Sequence, residues 1–133
     1  MSELVRPTGN PQVNDWLTAH EHDIFISAAT IAEIARGIEL LGPGRRRDSL
    51  ARWLSVDLPR DYSGRILPID RHVAERWGSL MVRSQRLGSP LSIMDGFIAA
   101  TAAEHGLILA TRNTRHFEGL DLHLYNPWEP SHQ

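Results

Sequence analysis

The hydrophobic positions along the chain change period several times, and each change marks an element. Asn10-Pro11 reads as an N-cap followed by Pro at the first helical position, and Val13, Trp16 and Leu17 continue at helical spacing towards His20. Residues 23–27 form a short apolar run rich in β-formers, which predicts a buried strand. That run leads into Thr30-Ile31-Ala32-Glu33, whose spacing predicts a capping box opening a helix to about Leu41, where Gly42-Pro43-Gly44 stops it. Residues 48–58 place Leu50, Trp53, Leu54 and Leu58 on one helical face, and residues 65–69 return to a strand pattern. Asp70 then caps a helix along Val73, Trp77, Leu80 and Met81 that ends before Gly88-Ser89-Pro90. Residues 92–104 predict another helix, stopped by Gly106. Residues 107–111 predict a continuous apolar strand, and 122–125 an alternating strand suited to a sheet edge.

Strands alternating with helices imply an α/β fold, a mostly parallel central sheet with helices on both faces. In such sheets ligands bind beyond the carboxyl ends of the strands, near the first turns of the helices. The polar residues at those points are Ser27, Thr30 and Glu33 after the first strand, Ser92 and Asp95 at the start of the 92–104 helix, and Thr111, Arg112, Asn113 and His116 after the third strand.

Composition narrows the chemistry. The 133 residues suit one domain, and we expect residues 1–133 to be a single unit. All 14 basic residues are Arg, so amine chemistry is closed: no P-loop lysine, no Schiff base, no Ser-Lys dyad. The absence of Cys closes thiol catalysis and Cys-ligated zinc. The acidic start and the interruption of the least charged window by Asp95 predict neither a signal peptide nor a membrane span, and we expect a cytoplasmic protein. With a net charge of −2 the chain has no global basic field, so nucleic acid would have to be met by local Arg clusters or bound cations. Arg45-Arg46-Arg47 is the dense cluster, read either as a solvated loop or helix start or as a phosphate contact.

Glu33 lies three residues after Thr30 and Asp95 three after Ser92, so each could simply cap its own helix. Asp95, however, sits among Ile93, Met94, Phe97, Ile98, Ala99 and Ala100, a segment that reads as buried on nearly every side, and a carboxylate there needs a partner or a cation. A cleft shared by the two acids would favour a hard divalent cation.

Three motifs occur in order: Ser27-Ala28-Ala29-Thr30-Ile31-Ala32-Glu33-Ile34-Ala35-Arg36-Gly37-Ile38, then Pro90-Leu91-Ser92-Ile93-Met94-Asp95-Gly96-Phe97-Ile98-Ala99-Ala100-Thr101-Ala102, then Ala110-Thr111-Arg112-Asn113-Thr114-Arg115-His116-Phe117-Glu118-Gly119. On these the chain resembles the PIN-domain ribonucleases, most closely the VapC toxins of bacterial VapBC toxin-antitoxin pairs. Tyr125-Asn126-Pro127-Trp128 is similar to the family's closing segment. The resemblance implies a three-layer α/β/α fold and an acidic cluster holding one or two Mg²⁺ or Mn²⁺ ions, which activate water for attack on an RNA phosphodiester. Asp95 matches a direct metal ligand, and Glu33 a ligand acting directly or through water. Thr111 and Asn113 match residues that orient ligands or water, while Arg112 either holds a phosphate or buttresses an acid. The implied partners are tRNA or another structured RNA, a VapB-type antitoxin, operator DNA through that antitoxin, and a second copy in a homodimer. Arg45, Arg46, Arg83 and Arg86 are further candidates for holding RNA.

The chain departs from the family pattern at two points. The family opens with a strand ending in an Asp-Thr-Asn type motif, followed by a helix similar to Ser2-Glu3-Leu4-Val5-Arg6-Pro7, and this sequence starts in that helix. We therefore expect a PIN-like sheet lacking its first strand, with neighbouring strand edges unpaired. At His116 many relatives carry a further acid; imidazole serves Mn²⁺ or a proton shuttle, or packs on Phe117. Glu118 or Asp121 could supply the missing carboxylate, and His20-Glu21-His22 reads as a polar connection. The leading expectation is a metal-dependent endoribonuclease toxin. The alternative is a catalytically impaired, truncated PIN domain that binds antitoxin or RNA. A phosphoacceptor domain lacks its Lys, a dinucleotide enzyme lacks its glycine turn, and a serine hydrolase lacks its G-x-S-x-G elbow.

Overall fold

The computed structural model describes residues 24–127. The expected helix through Val13, Trp16 and Leu17, the 2–7 segment, His20-Glu21-His22 and Trp128 lie outside those residues. Within them, β1 (Ile26–Ser27) runs directly into α1 (Ala28–Glu39), and α2 (Arg45–Arg52) continues through a π-helical stretch at Trp53–Asp57 into α3 (Leu58–Asp61). Next come β2 (Ile66–Leu67), α4 (Arg71–Arg86), α5 (Ile93–Glu104), β3 (Leu109–Ala110), a 3₁₀ turn at Thr114–Phe117 and β4 (Leu124–Tyr125).

The strands are shorter than the apolar runs that predict them, because only the paired centre of each run joins a ladder. β1 pairs with β2 and β3 with β4, both in parallel, as Ile26 opposite Ile66 and Leu109 opposite Leu124. Among the described residues no strand joins the two ladders, which stand as two separate two-stranded sheets. Leu109 and Thr111 donate their N–H groups to the carbonyls of His123, just before β4, and of Tyr125 within it, at 2.8 and 2.9 Å. The backbone of the intervening residue, Ala110, therefore faces the other way, and Ala110 is only 2% exposed. The α/β class and the parallel pairing expected from the sequence are both present in the described residues.

Each ladder has its own apolar cluster. Ile26 and Leu58 centre the smaller one, with Ile31, Ile34, Trp53 and Leu54 around them. The larger one gathers Val73 and Leu80 of α4, Ile98, Ala99 and Ala100 of α5, Leu109 of β3 and Phe117. Ala99, Ala100 and Ala102 of α5 have almost no exposed surface, which lets α4 and α1 approach its backbone closely. Arg76 joins α4 to α5 through Glu104 at 2.8 Å.

Three helix boundaries differ from the sequence reading. α1 starts earlier than the Thr30 box implies, because Ser27 at the end of β1 is already extended and its hydroxyl accepts from the Ala29 N–H at 3.0 Å. α2 begins at Arg45 rather than Asp48, so the arginine triplet is its first turn. Beyond Arg52 the α-helical pattern widens to a π-helical one rather than continuing unbroken to Leu58. No helix among the described residues is long and apolar enough to cross a membrane.

Candidate active site

Asp95 is the best-defined candidate. Ser92, extended at φ −65° and ψ 161°, caps α5 by accepting from the Asp95 N–H at 3.2 Å, which puts Asp95 in the helix's first turn. The return half of a capping box is missing: among the described residues the half-buried Asp95 carboxylate accepts no hydrogen bond and joins no ion pair. The carboxylate is thus left over after the helix has been capped. Ile93, read as buried from the sequence, is instead 62% exposed. As the first helical residue it projects beyond the packed face that begins at Gly96.

Glu33 lies midway along α1 with its side chain exposed. It does not belong to a capping box with Thr30, since Ser27 is the cap and Thr30 lies inside the helix. Thr30 is fully buried and its hydroxyl is the one buried side-chain polar atom without a partner among the described residues. Beside it in sequence, Ser27 Oγ lies 3.2 Å from Thr101 Oγ1 of α5, a buried hydroxyl pair tying the start of α1 to the middle of α5. Thr101 also donates to the Phe97 carbonyl at 2.7 Å.

The turn after β3 is shaped by Thr111, whose buried hydroxyl accepts from the Asn113 N–H at 3.2 Å. Its hydroxyl thus organises the turn, and the exposed Arg112 and Asn113 are what that turn presents. The Arg112 carbonyl accepts from Asn126 Nδ2 at 3.2 Å, fastening the turn to the end of β4. His116 is exposed on the 3₁₀ turn while its neighbour Phe117 is buried. Arg45 and Arg46 are exposed at the start of α2, and Arg47 pairs with Glu39 at 2.8 Å. Three cations at a helix N-terminus oppose the helix dipole, which Asp48 in the same turn partly offsets. Arg83 pairs with Asp121 at 2.9 Å, which places that acid with α4.

Carboxylate oxygen is the donor that hard divalent cations favour, so Glu33 and Asp95 suit Mg²⁺ or Mn²⁺ in kind, and the unpaired Asp95 carboxylate suits one in circumstance. Among the described residues no three His, Asp or Glu side chains gather into one metal-holding group. Sequence reasoning missed two features around Asp95: Ser27 as the α1 cap, and the contact of Trp77 with the first turn of α5. The signal for the second was a glycine at position 96 within an apolar helical run.

Residues 3–121 match the PIN domain family. The chain belongs to that family. It is 36% identical over 129 residues to Toxin FitB of Neisseria gonorrhoeae, covering 96% of this chain and 93% of that one. It is 34% identical over 132 residues to VapC ribonuclease Y4jK of Sinorhizobium fredii, covering 98% and 94%. The structure of FitAB bound to IR36 DNA fragment is similar at a TM-score of 0.87 and 35% identity, over 98% of this chain and 92% of that one. The family expected from the three motifs is therefore the one found, and this PIN domain is of the VapC type.

Proposed function

We propose that this PIN domain is a metal-dependent endoribonuclease toxin that hydrolyses RNA phosphodiester bonds and is held in check by a cognate VapB-type antitoxin. The observation that carries the reading is the Asp95 carboxylate, half-buried in the first turn of α5 and unpartnered among the described residues. Likeness to a VapC ribonuclease along nearly the whole chain supports the reaction class. Asp95 and Glu33 would hold Mg²⁺ or Mn²⁺, which supplies Lewis acidity and an activated water when bound. The residues of the chain then have separate tasks. Asn113, presented by the Thr111 turn, orients water or a phosphate oxygen, and His116 moves a proton or adds a ligand. Arg112, Arg45 and Arg46 meet phosphates. Single-stranded loops of tRNA or another structured RNA are the substrate class, since cleavage at a chosen site requires unstacked bases. A FitAB structure that is similar to this chain and bound to DNA supports an antitoxin-mediated operator contact, and the homodimer is proposed from the family resemblance alone. We place the protein in the cytoplasm, where its RNA substrate is.

The test is cleavage of pooled tRNA in Mn²⁺ or Mg²⁺, with EDTA and Asp95→Asn as controls. Cleavage abolished by both supports the proposal, with Asp95→Asn and Glu33→Gln each expected to lower the rate at least about a hundredfold. A folded chain that binds RNA or antitoxin without cutting overturns it in favour of a binding module.

A further inference from the structure

The site above depends on where the first turn of α5 is held, and one side chain of α4 holds it. Trp77 donates its indole N–H to the Ile93 carbonyl at 3.1 Å, and its ring stacks on Phe97 with centroids 4.9 Å apart and planes 15° apart. Ile93 and Phe97 bracket Asp95 in sequence, so the indole spans the helical turn that carries the acid. Gly96 makes the approach possible. A Cβ at that position would lie 2.8 Å from Trp77 Nε1, 2.9 Å from Cδ1 and 2.5 Å from Met81 Sδ. Met81 is flexible and could yield. The indole could yield only by giving up its stacking or its hydrogen bond.

We propose that Trp77, admitted by Gly96, is a positioning residue that fixes the Asp95 carboxylate in the RNA-cleaving site. The proposal rests on the nuclease reading and deepens it. Trp77 touches neither substrate nor metal; it acts through the backbone of the turn that Ser92 caps from the other side. Groups that orient a ligand without touching the reactants typically change affinity or rate by roughly 10–100-fold when removed.

The test uses the full chain with Trp77→Phe, which keeps a ring against Phe97 but loses the donor, with Gly96→Ala, and with the double variant. Titration with Mn²⁺ alone, followed by calorimetry, reads the acid site without RNA; tRNA cleavage gives kcat and KM separately; circular dichroism checks folding. In Trp77→Phe we expect Mn²⁺ affinity and kcat to fall on the order of tenfold with KM within about twofold. Gly96→Ala should reproduce this, and the double variant should be little worse than Trp77→Phe, because both changes remove the same contact. A folded Trp77→Phe with the parent's Mn²⁺ affinity and kcat overturns the assignment, whether or not Gly96→Ala folds. A parent chain that neither binds Mn²⁺ nor cleaves RNA overturns the nuclease reading, and this inference with it.

Discussion

At the scale of single residues, the buried hydroxyls show how one side chain can serve or strain its surroundings. Thr30 hides its Oγ1 without a partner among the described residues, whereas Ser27 and Thr101 satisfy each other. Replacing an unsatisfied buried hydroxyl by a methyl group of the same shape removes a desolvation cost without losing a bond. Thr30→Val should therefore stabilise the protein by about 1 kcal/mol, seen as a higher urea midpoint with unchanged slope. A lower midpoint would mean that the hydroxyl has a partner in solution. Ser92 is the opposite case: Ser92→Ala removes the N-cap of α5 and should cost about 1 kcal/mol, measured the same way. The motifs made Asp95 and Glu33 visible as candidates, but their capping roles were only half legible. Asp95 does lie three residues after its cap. Glu33 does not, because the strand before it ends in a better-placed serine, a competition that spacing alone cannot decide.

At the scale of elements, periodicity reported which helices and strands exist far better than where they stop. The faces through Val73, Trp77 and Leu80 and through Leu54 and Leu58 were readable because helix spacing persists over several turns. The π-helical stretch at Trp53–Asp57 was not, since over a single turn no residue type marks an i→i+5 hydrogen bond apart from an i→i+4 one. The start of α4 gives a pH prediction. The Val73 backbone N–H, at 3.0 Å from the Asp70 carboxylate, holds that group below its ordinary value, and His72 adds to the effect. A carboxyl with a depressed folded pKa contributes stability that is complete above its unfolded pKa and is lost as pH falls through the folded one. The stability difference between the parent and Asp70→Asn, which does not titrate, should accordingly change only on the acid side of the ordinary carboxylate value. A difference that changes instead between pH 6 and 8 would assign it to a histidine. Within α5, Ala99 has no exposed surface, so Ala99→Leu should cost about 1–3 kcal/mol by overpacking against its neighbours, readable as a lowered melting temperature.

At the scale of the whole molecule, an α/β fold with parallel strand pairs could be read from the alternation of strands and helices. What could not be read is how unequal the two parts are. Among the described residues only Ile26 and Leu58 are fully buried in the smaller apolar cluster, against a continuous set from α4, α5 and β3 in the larger. Local opening follows the amount of buried apolar contact. Hydrogen exchange should thus protect amides of residues 97–102 more strongly than those of β1 and β2, and equal protection would show that the two parts open as one.

The contact between α1 and α5 also bears on the spacing between the two acids. Glu33 belongs to the helix that leaves one ladder, and Asp95 to the helix that leads into the other. One described link between these helices is a pair of buried side-chain hydroxyls, where Ser27 at the start of the first meets Thr101 in the second. The distance between the acids thus answers to how closely these two helices pack at that hydroxyl pair. Substitutions along the α1–α5 seam are then a handle on the bite of the two acids, reached without touching either carboxylate.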